Sequence, residues 1–344
     1  MLKGAFDILA AMGMRGDGVS RKGHLRQLRD MFLLQRMRRI GPRYYLIAGL
    51  NRTTVHDDEM LGHVNETEYE AFLEHINPVE RIRPLYSKAE QKRRLVGADI
   101  PTPQPVFTTE AGEGDTGAAF AEAVRQSGLD RLVVKPLRGF AGRGFQVYTV
   151  DRSGADAMLV GDDGQASTAA DLPVRFPDGF VAEAFIDQHP WYASLNPESV
   201  NTWRIWAISD RRDVPEILIA MLRMGRTGSR VDNIGGGGCY AVLGPDDRLG
   251  PVGDATIRRR MSPGHPDSRI RVEGVAPPFA EEAKALAARA LAAMPELRFA
   301  GVDIAVERNG PTVTEVNAEP DRMGAARTDW PFGDWLRAQR YLEP

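Results

Sequence analysis

A chain of 344 residues, 42% hydrophobic and 26% charged, is long enough for a large core split into two or three subdomains. Its formal net charge of −3 argues against a wholesale nucleic-acid binder. No apolar run reaches the ~20 residues that cross a bilayer, 6–14 is too short and poorly flanked for a secretion signal, and a single cysteine, Cys239, excludes an intrachain disulfide, so a reducing, cytoplasmic setting is expected.

Residues 1–20 give no clear element, but 1–52 hold eleven Lys or Arg against three Asp, about +8. Within them 22–39 reads as a basic amphipathic helix, with Leu25, Leu28, Phe32 and Met31 or Gln35 at helical spacing and Arg26, Arg29, Arg36, Arg38 and Arg39 elsewhere. Such a helix either packs its apolar stripe on the rest of the protein or docks on an anionic membrane or acidic partner. Gly41-Pro42 stops it, 44–50 is a short apolar segment, and 67–76 is a helix begun by Asn65 or Thr67 and ended before Asn77-Pro78. A helix over 87–96 has Ser87 as N-cap and Glu90 at the capping-box position, and leads into a rigid connector, 97–103.

A helix over 116–128 ends at Gly128, and strands follow at 131–135, 145–150 and 179–186, with 151–178 a loop carrying one short strand at most. Strands at 202–208 and 216–222, a flexible glycine run at 235–238, an Ala-rich helix at 279–293 and a polar tail complete the pattern. This divides the chain into an N-terminal helical region (1–86), a small subdomain (87–186), a large subdomain (187–330) and a C-terminal tail (331–344).

Three stretches carry chemistry. In the hairpin at 299–321, apolar-polar alternation flanks Arg308-Asn309-Gly310-Pro311. A two-residue Asn309-Gly310 turn pairs Ile304 with Glu315 and sends Asp303 to the opposite face. A three-residue loop with Gly310 as a left-handed bulge pairs Asp303 with Glu315 and puts Asn317 on the same face. Two carboxylates and an amide about 5 Å apart suit Mg²⁺ or Mn²⁺ held with substrate phosphates; the plain alternative is a surface hairpin with solvated acids. In the second stretch Lys135 at a strand end precedes a glycine-rich run with Arg138, Gly139, Gly142, Arg143 and Gly144, where backbone N–H groups and basic side chains suit phosphate. A hairpin tip with solvated arginines is the competing reading. In the third, Arg204 and Arg223 fall on or after adjacent strands and could converge on an anion, or pair with nearby acids, with Asn233 beside the glycine run. Cys239 lacks a histidine partner and reads as a buried small residue, and His265-Pro266 reads as a turn.

Taken in order, these motifs resemble the ATP-grasp superfamily over about residues 85–325. The group most similar is the sugar-transfer associated ATP-grasp family, related to α-L-glutamate ligases, through residues 197–204, Leu222-Arg223, Val231-Asp232-Asn233, Gly301-Val302-Asp303-Ile304 and Glu315-Val316-Asn317. The resemblance implies an α+β fold whose two α/β subdomains clasp ATP behind a basic helical N-terminal region. It implies phosphate lysines at Lys88 and Lys135, a phosphate lid at 138–144, an adenine hinge at Glu183, Ala184, Phe185 and Ile186, and a ribose acid at Asp187. Asp303, Glu315 and Asn317 would be Mg²⁺ ligands, and Arg204, Arg223 and Asn233 would face the γ-phosphate, acyl phosphate or acceptor. The implied activity is ATP-dependent ligation of a carboxylate to an amine, on small or glycan-linked substrates. Phosphorylation of a hydroxyl and a nucleotide-regulated docking module are the other readings. Nothing in the family accounts for the basic first fifty residues.

Overall fold

The computed structural model describes residues 2–13, 18–110, 116–137, 144–154, 156–209 and 215–342. Helices α1 (Leu2–Met12), α2 (His24–Arg38), α3 (Pro42–Ile47), α4 (Asp57–Leu61), α5 (Glu66–Ile76), α6 (Val79–Ile82) and α7 (Lys88–Gly97) come first. Strands β1 (Pro105–Glu110), β2 (Arg131–Pro136), β3 (Gln146–Asp151), β4 (Met158–Gly161), β5 (Ala166–Thr168) and β6 (Gly179–Ala184) follow, with α8 (Gly117–Ser127) after β1. They form a six-stranded sheet in the order β1-β6-β2-β3-β4-β5. After α9 (Pro190–Leu195) come β7 (Trp203–Ile208), β8 (Glu216–Met224), β9 (Cys239–Val242), β10 (Val252–Asp254), β11 (Met261–Ser262), α10 (Ala280–Ala292), β12 (Phe299–Glu307) and β13 (Gly310–Asn317). These strands make a seven-stranded sheet, β11-β10-β9-β8-β7-β12-β13, and α11 (Met323–Arg327) and α12 (Phe332–Ala338) end the chain. The α+β architecture expected from the sequence is what forms.

Strand alternation decides what each sheet offers the space between them. In β2 and β6, Leu132, Val134, Phe180 and Ala182 pack on Phe120 and Val124 of α8. Their neighbours Val133, Lys135, Val181 and Glu183 therefore point the other way, into the cleft. In the larger sheet Trp203, Ile205, Val302, Ile304 and Val313 pack on the Ala-rich face of α10. The opposite face is capped at one end by Tyr69, Phe72 and Ile76 of α5 with Phe332 and Leu336 of α12, around Trp206 and Phe299. Beyond that cap, the same face carries Arg204 and Asp303.

Several elements depart from the sequence reading. Asn65, not Thr67, caps α5, through a reciprocal capping box with Glu68 (2.9 and 3.0 Å). Ser87 caps α7 by accepting from Glu90 N at 3.3 Å, but Glu90 turns its carboxylate to Arg93 and Arg94. Residues 151–178 hold a hairpin, β4–β5, where one short strand at most was expected; the missed signal is Asp162-Asp163-Gly164, with Gly164 at φ +77° and Asp163 Oδ1 accepting from Gln165 N. Strands β9–β11 and helix α9 were not anticipated, being two to six residues long with little periodicity. The expected polar tail is a packed helix that buries Phe332 and Leu336. Helix α7, given by the sequence to the small subdomain, touches both sheets: Val316 N donates to Gln91 Oε1 (3.1 Å) and Arg94 pairs with Glu296 (2.7 Å) on the larger-sheet side, while Lys92 reaches Glu183 of β6 at 2.7 Å.

Helix α2 forms where expected but is turned inside out. Its buried residues are Gln27, Asp30, Met31 and Leu34, whereas Leu25 and Phe32 are 85% and 72% exposed. The buried polar groups hold that orientation. Asp30 pairs with Lys22 at 2.8 Å, and Gln27 Nε2 donates to the carbonyls of Met12 and Lys22. Unburied, each large apolar side chain forgoes about 1.5–3 kcal/mol, but unpairing a buried charge costs more, about 3–5 kcal/mol.

Candidate active site

The two sheets and α7 enclose a cleft of about 1900 Å³. On its larger-sheet side a single row of side chains crosses four strands. Arg204 of β7 lies directly opposite Asp303 of β12, and Asp303 directly opposite Glu315 of β13. Arg223 of β8 pairs backbone to backbone with Thr202, diagonal to Arg204.

The Asp303–Glu315 pairing is reached by a route neither sequence alternative described. Glu307 pairs with Gly310 (φ +143°), so the turn is Arg308-Asn309, a two-residue loop one position earlier than Asn309-Gly310. A register shift between Asp303 and Ile304 then inserts Thr314 as an extra residue, whose Oγ1 donates to the Asp303 carbonyl at 3.1 Å. The spacing of Val313 and Val316, both buried three residues apart, is the sequence trace of that bulge.

Asp303 is buried and held by both arginines: Arg204 Nη2 and Arg223 Nη2 reach its Oδ2 at 2.9 and 3.0 Å. Burial pushes the Asp303 carboxyl up, but the two guanidiniums more than offset it and hold it below the usual aspartate value. Arg223 is also within 3.5 Å of Asp232, which accepts from Thr202 N at 2.9 Å; burial opposes its charge and the two acids keep it above the ordinary arginine value. So the arginines converge, on an aspartate. Asp232, an organiser of this cluster, was not singled out as a site residue.

Glu315 is exposed within the cleft and makes no ion pair among the described residues. Asn317 lines the cleft beside it, its Oδ1 accepting from Glu319 N at 3.0 Å with a further lone pair left. Among the described residues no group of three or more His, Cys, Asp or Glu is gathered for a metal. The chemistry of the donors nonetheless fits a hard divalent ion at Glu315 and Asn317, completed by phosphate oxygens and water. Asp303 joins only by sharing oxygens now turned to the guanidiniums.

The opposite side is built from lysines. Glu183, 2% exposed, takes Lys135 on one carboxylate oxygen and Lys92 on the other at 2.7 Å. Lys135 stands opposite Val181, so its contact with Glu183 is a diagonal cross-strand pair. Burial raises the Glu183 carboxyl and the two ammonium groups outweigh it, leaving it below the usual value. Lys92 also donates to Thr102 Oγ1 (2.7 Å) and the Pro103 carbonyl (3.2 Å). The sequence reading missed Lys92, although Lys88 and Lys92 four apart on α7 share a face. Burial pulls both lysines below the ordinary lysine value, against the attraction of Glu315 for Lys88 and of Glu183 for Lys92.

The remaining expectations divide. Ala184, Phe185 and Ile186 line the cleft, but Ala184 N donates to Gln104 O and Phe185 N to Arg131 O, so two N–H groups of the anticipated hinge already have partners. The Glu183 side chain neutralises lysines. Arg131 stacks 3.6 Å from the Phe185 ring centre. Asp187 is displaced from the cleft: it pairs with Arg308 at 3.1 Å in a separate hollow with Glu282 and Arg289. Asn233 lines the cleft and caps a short 3₁₀ turn, Oδ1 accepting from Gly235 N at 2.8 Å. The glycine run is thus a built turn; a Cβ on Gly238 would stand 2.5 Å from the Asp232 carbonyl. Arg138, Gly139, Gly142 and Arg143 lie outside the described residues, and Gly144 is a turn residue at φ +79°. Cys239 is buried, which pushes its thiol up to about 12, and His265 Nε2 meets the Gly225 carbonyl at 2.8 Å within a turn, so neither enters the cleft chemistry.

The family model described as sugar-transfer associated ATP-grasp matches residues 67–327. The chain belongs to that family. Among solved structures, this ATP-grasp chain is similar to an N5-carboxyaminoimidazole synthetase from Staphylococcus aureus complexed with ADP (13% identity, TM-score 0.41, 72% of this chain and 48% of that one). It is also similar to an L-amino acid ligase from Bacillus licheniformis (16%, 0.41, 78% and 50%) and to a D-cycloserine synthetase (16%, 0.46, 88% and 94%). It spans about half the length of the first two. No curated protein matches it. Among the described residues, no helix of this ATP-grasp chain is long and apolar enough to cross a membrane.

Proposed function

We propose that this protein is an ATP- and Mg²⁺-dependent ligase that activates a carboxylate and joins it to an amine, acting on a small or glycan-linked substrate. The observation that carries this is the charge arrangement of one cleft, with Lys92 and Lys135 gathered on Glu183 and, across from them, Glu315 beside Asn317 with no ion pair among the described residues. A substrate carboxylate oxygen attacks the γ-phosphorus, the bond to the β-phosphate oxygen breaks, and ADP leaves. The amine nitrogen then attacks the acyl carbon, loses a proton and expels inorganic phosphate. Such chemistry needs positioning and charge neutralisation rather than a protein nucleophile. Lys88 and Lys135 would neutralise phosphate oxygens, and Arg223 and Arg204 would hold Asp303 in place. When bound at Glu315 and Asn317, Mg²⁺ would supply further neutralisation of the phosphates. The family's description, sugar-transfer associated, supports the glycan setting.

Hydroxylamine trapping tests the reading. Incubation with ATP, Mg²⁺ and a panel of sugar acids and amino acids should yield a hydroxamate and free phosphate in equal amounts, while ADP release without any acceptor stays low. A product that keeps the phosphate on a hydroxyl would replace the ligase with a phosphotransferase. Absence of Mg²⁺-dependent binding of a non-hydrolysable ATP analogue to the folded protein, by calorimetry, would remove both.

A further inference from the structure

We infer that the outward face of α2 is a docking surface for an anionic lipid bilayer. On a helix turning about 100° per residue, Leu25, Leu28 and Phe32 fall within an arc of about 60°. All three are exposed. Around this stripe Arg26, Arg36, Arg39 and Arg43 are exposed and make no ion pair among the described residues. Arg29 is the exception, held by Asp57 and Asp30. The nearby acids are those of α4, Asp57, Asp58 and Glu59, and Asp57 is the one neutralised.

The helix cannot roll to hide this stripe. Its other face is anchored by the buried Lys22–Asp30 pair and by Gln27, while Met31 and Leu34 join the core that includes Tyr45 and Leu46 of α3. An apolar stripe bordered by exposed arginines is the composition of a helix that lies in the interface plane of a charged membrane. A second copy of the chain is a poorer occupant, because pairing two such faces brings like-charged arginine borders together. The surface also has a mechanical connection to the cleft. Helix α3 packs on α11 through Arg322, which stands over the Tyr44 ring at 4.7 Å, and Gly324 and Arg327 of α11 line the cleft. Docking would therefore orient the cleft relative to the membrane, independently of the reaction it catalyses.

The test is flotation of the full chain with vesicles of phosphatidylcholine alone and of phosphatidylcholine with phosphatidylglycerol. Binding to the anionic vesicles should exceed that to the neutral ones by about tenfold or more and weaken with added salt. Leu25→Glu with Phe32→Glu should lose it, and Arg26→Gln with Arg36→Gln should lower it and flatten its salt dependence. All four sites are exposed, so both variants should keep the wild-type circular dichroism and unfolding curve, and their binding of a non-hydrolysable ATP analogue should match that of the wild type. Equal binding to both vesicle types, or undiminished binding by the Leu25/Phe32 variant, overturns the proposal. So does sedimentation showing a wild-type dimer that the same variant makes monomeric, or capture of an acidic protein with no binding to vesicles.

Discussion

The two walls of the cleft solve the same problem, a buried carboxylate, with different cations. On the smaller sheet and α7, Glu183 is neutralised by Lys92 and Lys135, so two ammonium groups face one acid, and Lys88 of α7 is drawn to both Glu315 and Glu183. On the larger sheet Arg204 and Arg223 face three acids, Asp232, Asp303 and Glu315. The first wall has cationic excess suited to phosphates; the second has anionic excess suited to a divalent ion. The choice of cation matters as much as the sign. A guanidinium holds a carboxylate through several fixed N–H bonds and does not lose its proton, whereas an ammonium is a compact point charge that can shed one. The arginine wall is the more fixed of the two, and the lysine wall can release its internal acid by losing a proton.

Removing the central acid of each wall should break the comparison most sharply. Asp303→Ala leaves two arginines without their partner and should cost about 3–5 kcal/mol of unfolding free energy in urea titrations. Glu183→Ala should cost less, about 1–3 kcal/mol, because Lys92 can deprotonate to escape an unpaired buried charge. The reverse order would show that the lysine wall, not the arginine wall, is the rigid one. Lys135→Ala should lower the affinity for a non-hydrolysable ATP analogue by about 1.5–3 kcal/mol, roughly ten- to 150-fold, with little change in melting temperature; calorimetry checks both quantities.

An alkaline titration sharpens the contrast further. Burial leaves Lys88 and Lys92 below the ordinary lysine value of 10.5, so they lose protons before exposed lysines do, while Arg223 stays charged. Nucleotide affinity should fall as pH rises toward 10.5. The fold should not weaken from these two groups over that window: their folded values are depressed, so the unfolded chain binds more protons and stability rises with pH. A parallel loss of affinity and stability would contradict this. The smallest effect is expected for the bridge across the cleft, Arg230 to Asp162 at 3.1 Å. Both ends are partly exposed, so Arg230→Ala should change stability by less than about 1 kcal/mol, and a larger loss would show that the walls depend on each other.

Much of this was readable from residue order. Lysine at a strand end and the arginines on adjacent strands were placed by local rules of alternation and spacing, and Gly128 (φ +66°) and Ser87 ended and began their helices as their chemistry requires. The Lys92–Glu183 pair and the displacement of Asp187 onto Arg308 were not readable, because each depends on a partner far away in sequence, and Asp232 meets Arg223 only because the chain turns back to Thr202. The hairpin shows the boundary between the two kinds of information. Its sequence carried the two acids and the need for a turn, but the register came from packing, since Val313 and Val316 both had to meet the α10 side and only an extra residue at Thr314 allows it.

Helix α2 is the same lesson with the opposite sign. Its sequence determined that a helix would form and that Leu25, Leu28 and Phe32 would share a face. Which face is buried was decided only in three dimensions, where Lys22 and Asp30, eight residues apart, close an ion pair beneath it. Local periodicity specifies which side chains align, and a buried charge pair can specify which way they point, because leaving it unpaired costs more than leaving a leucine in water.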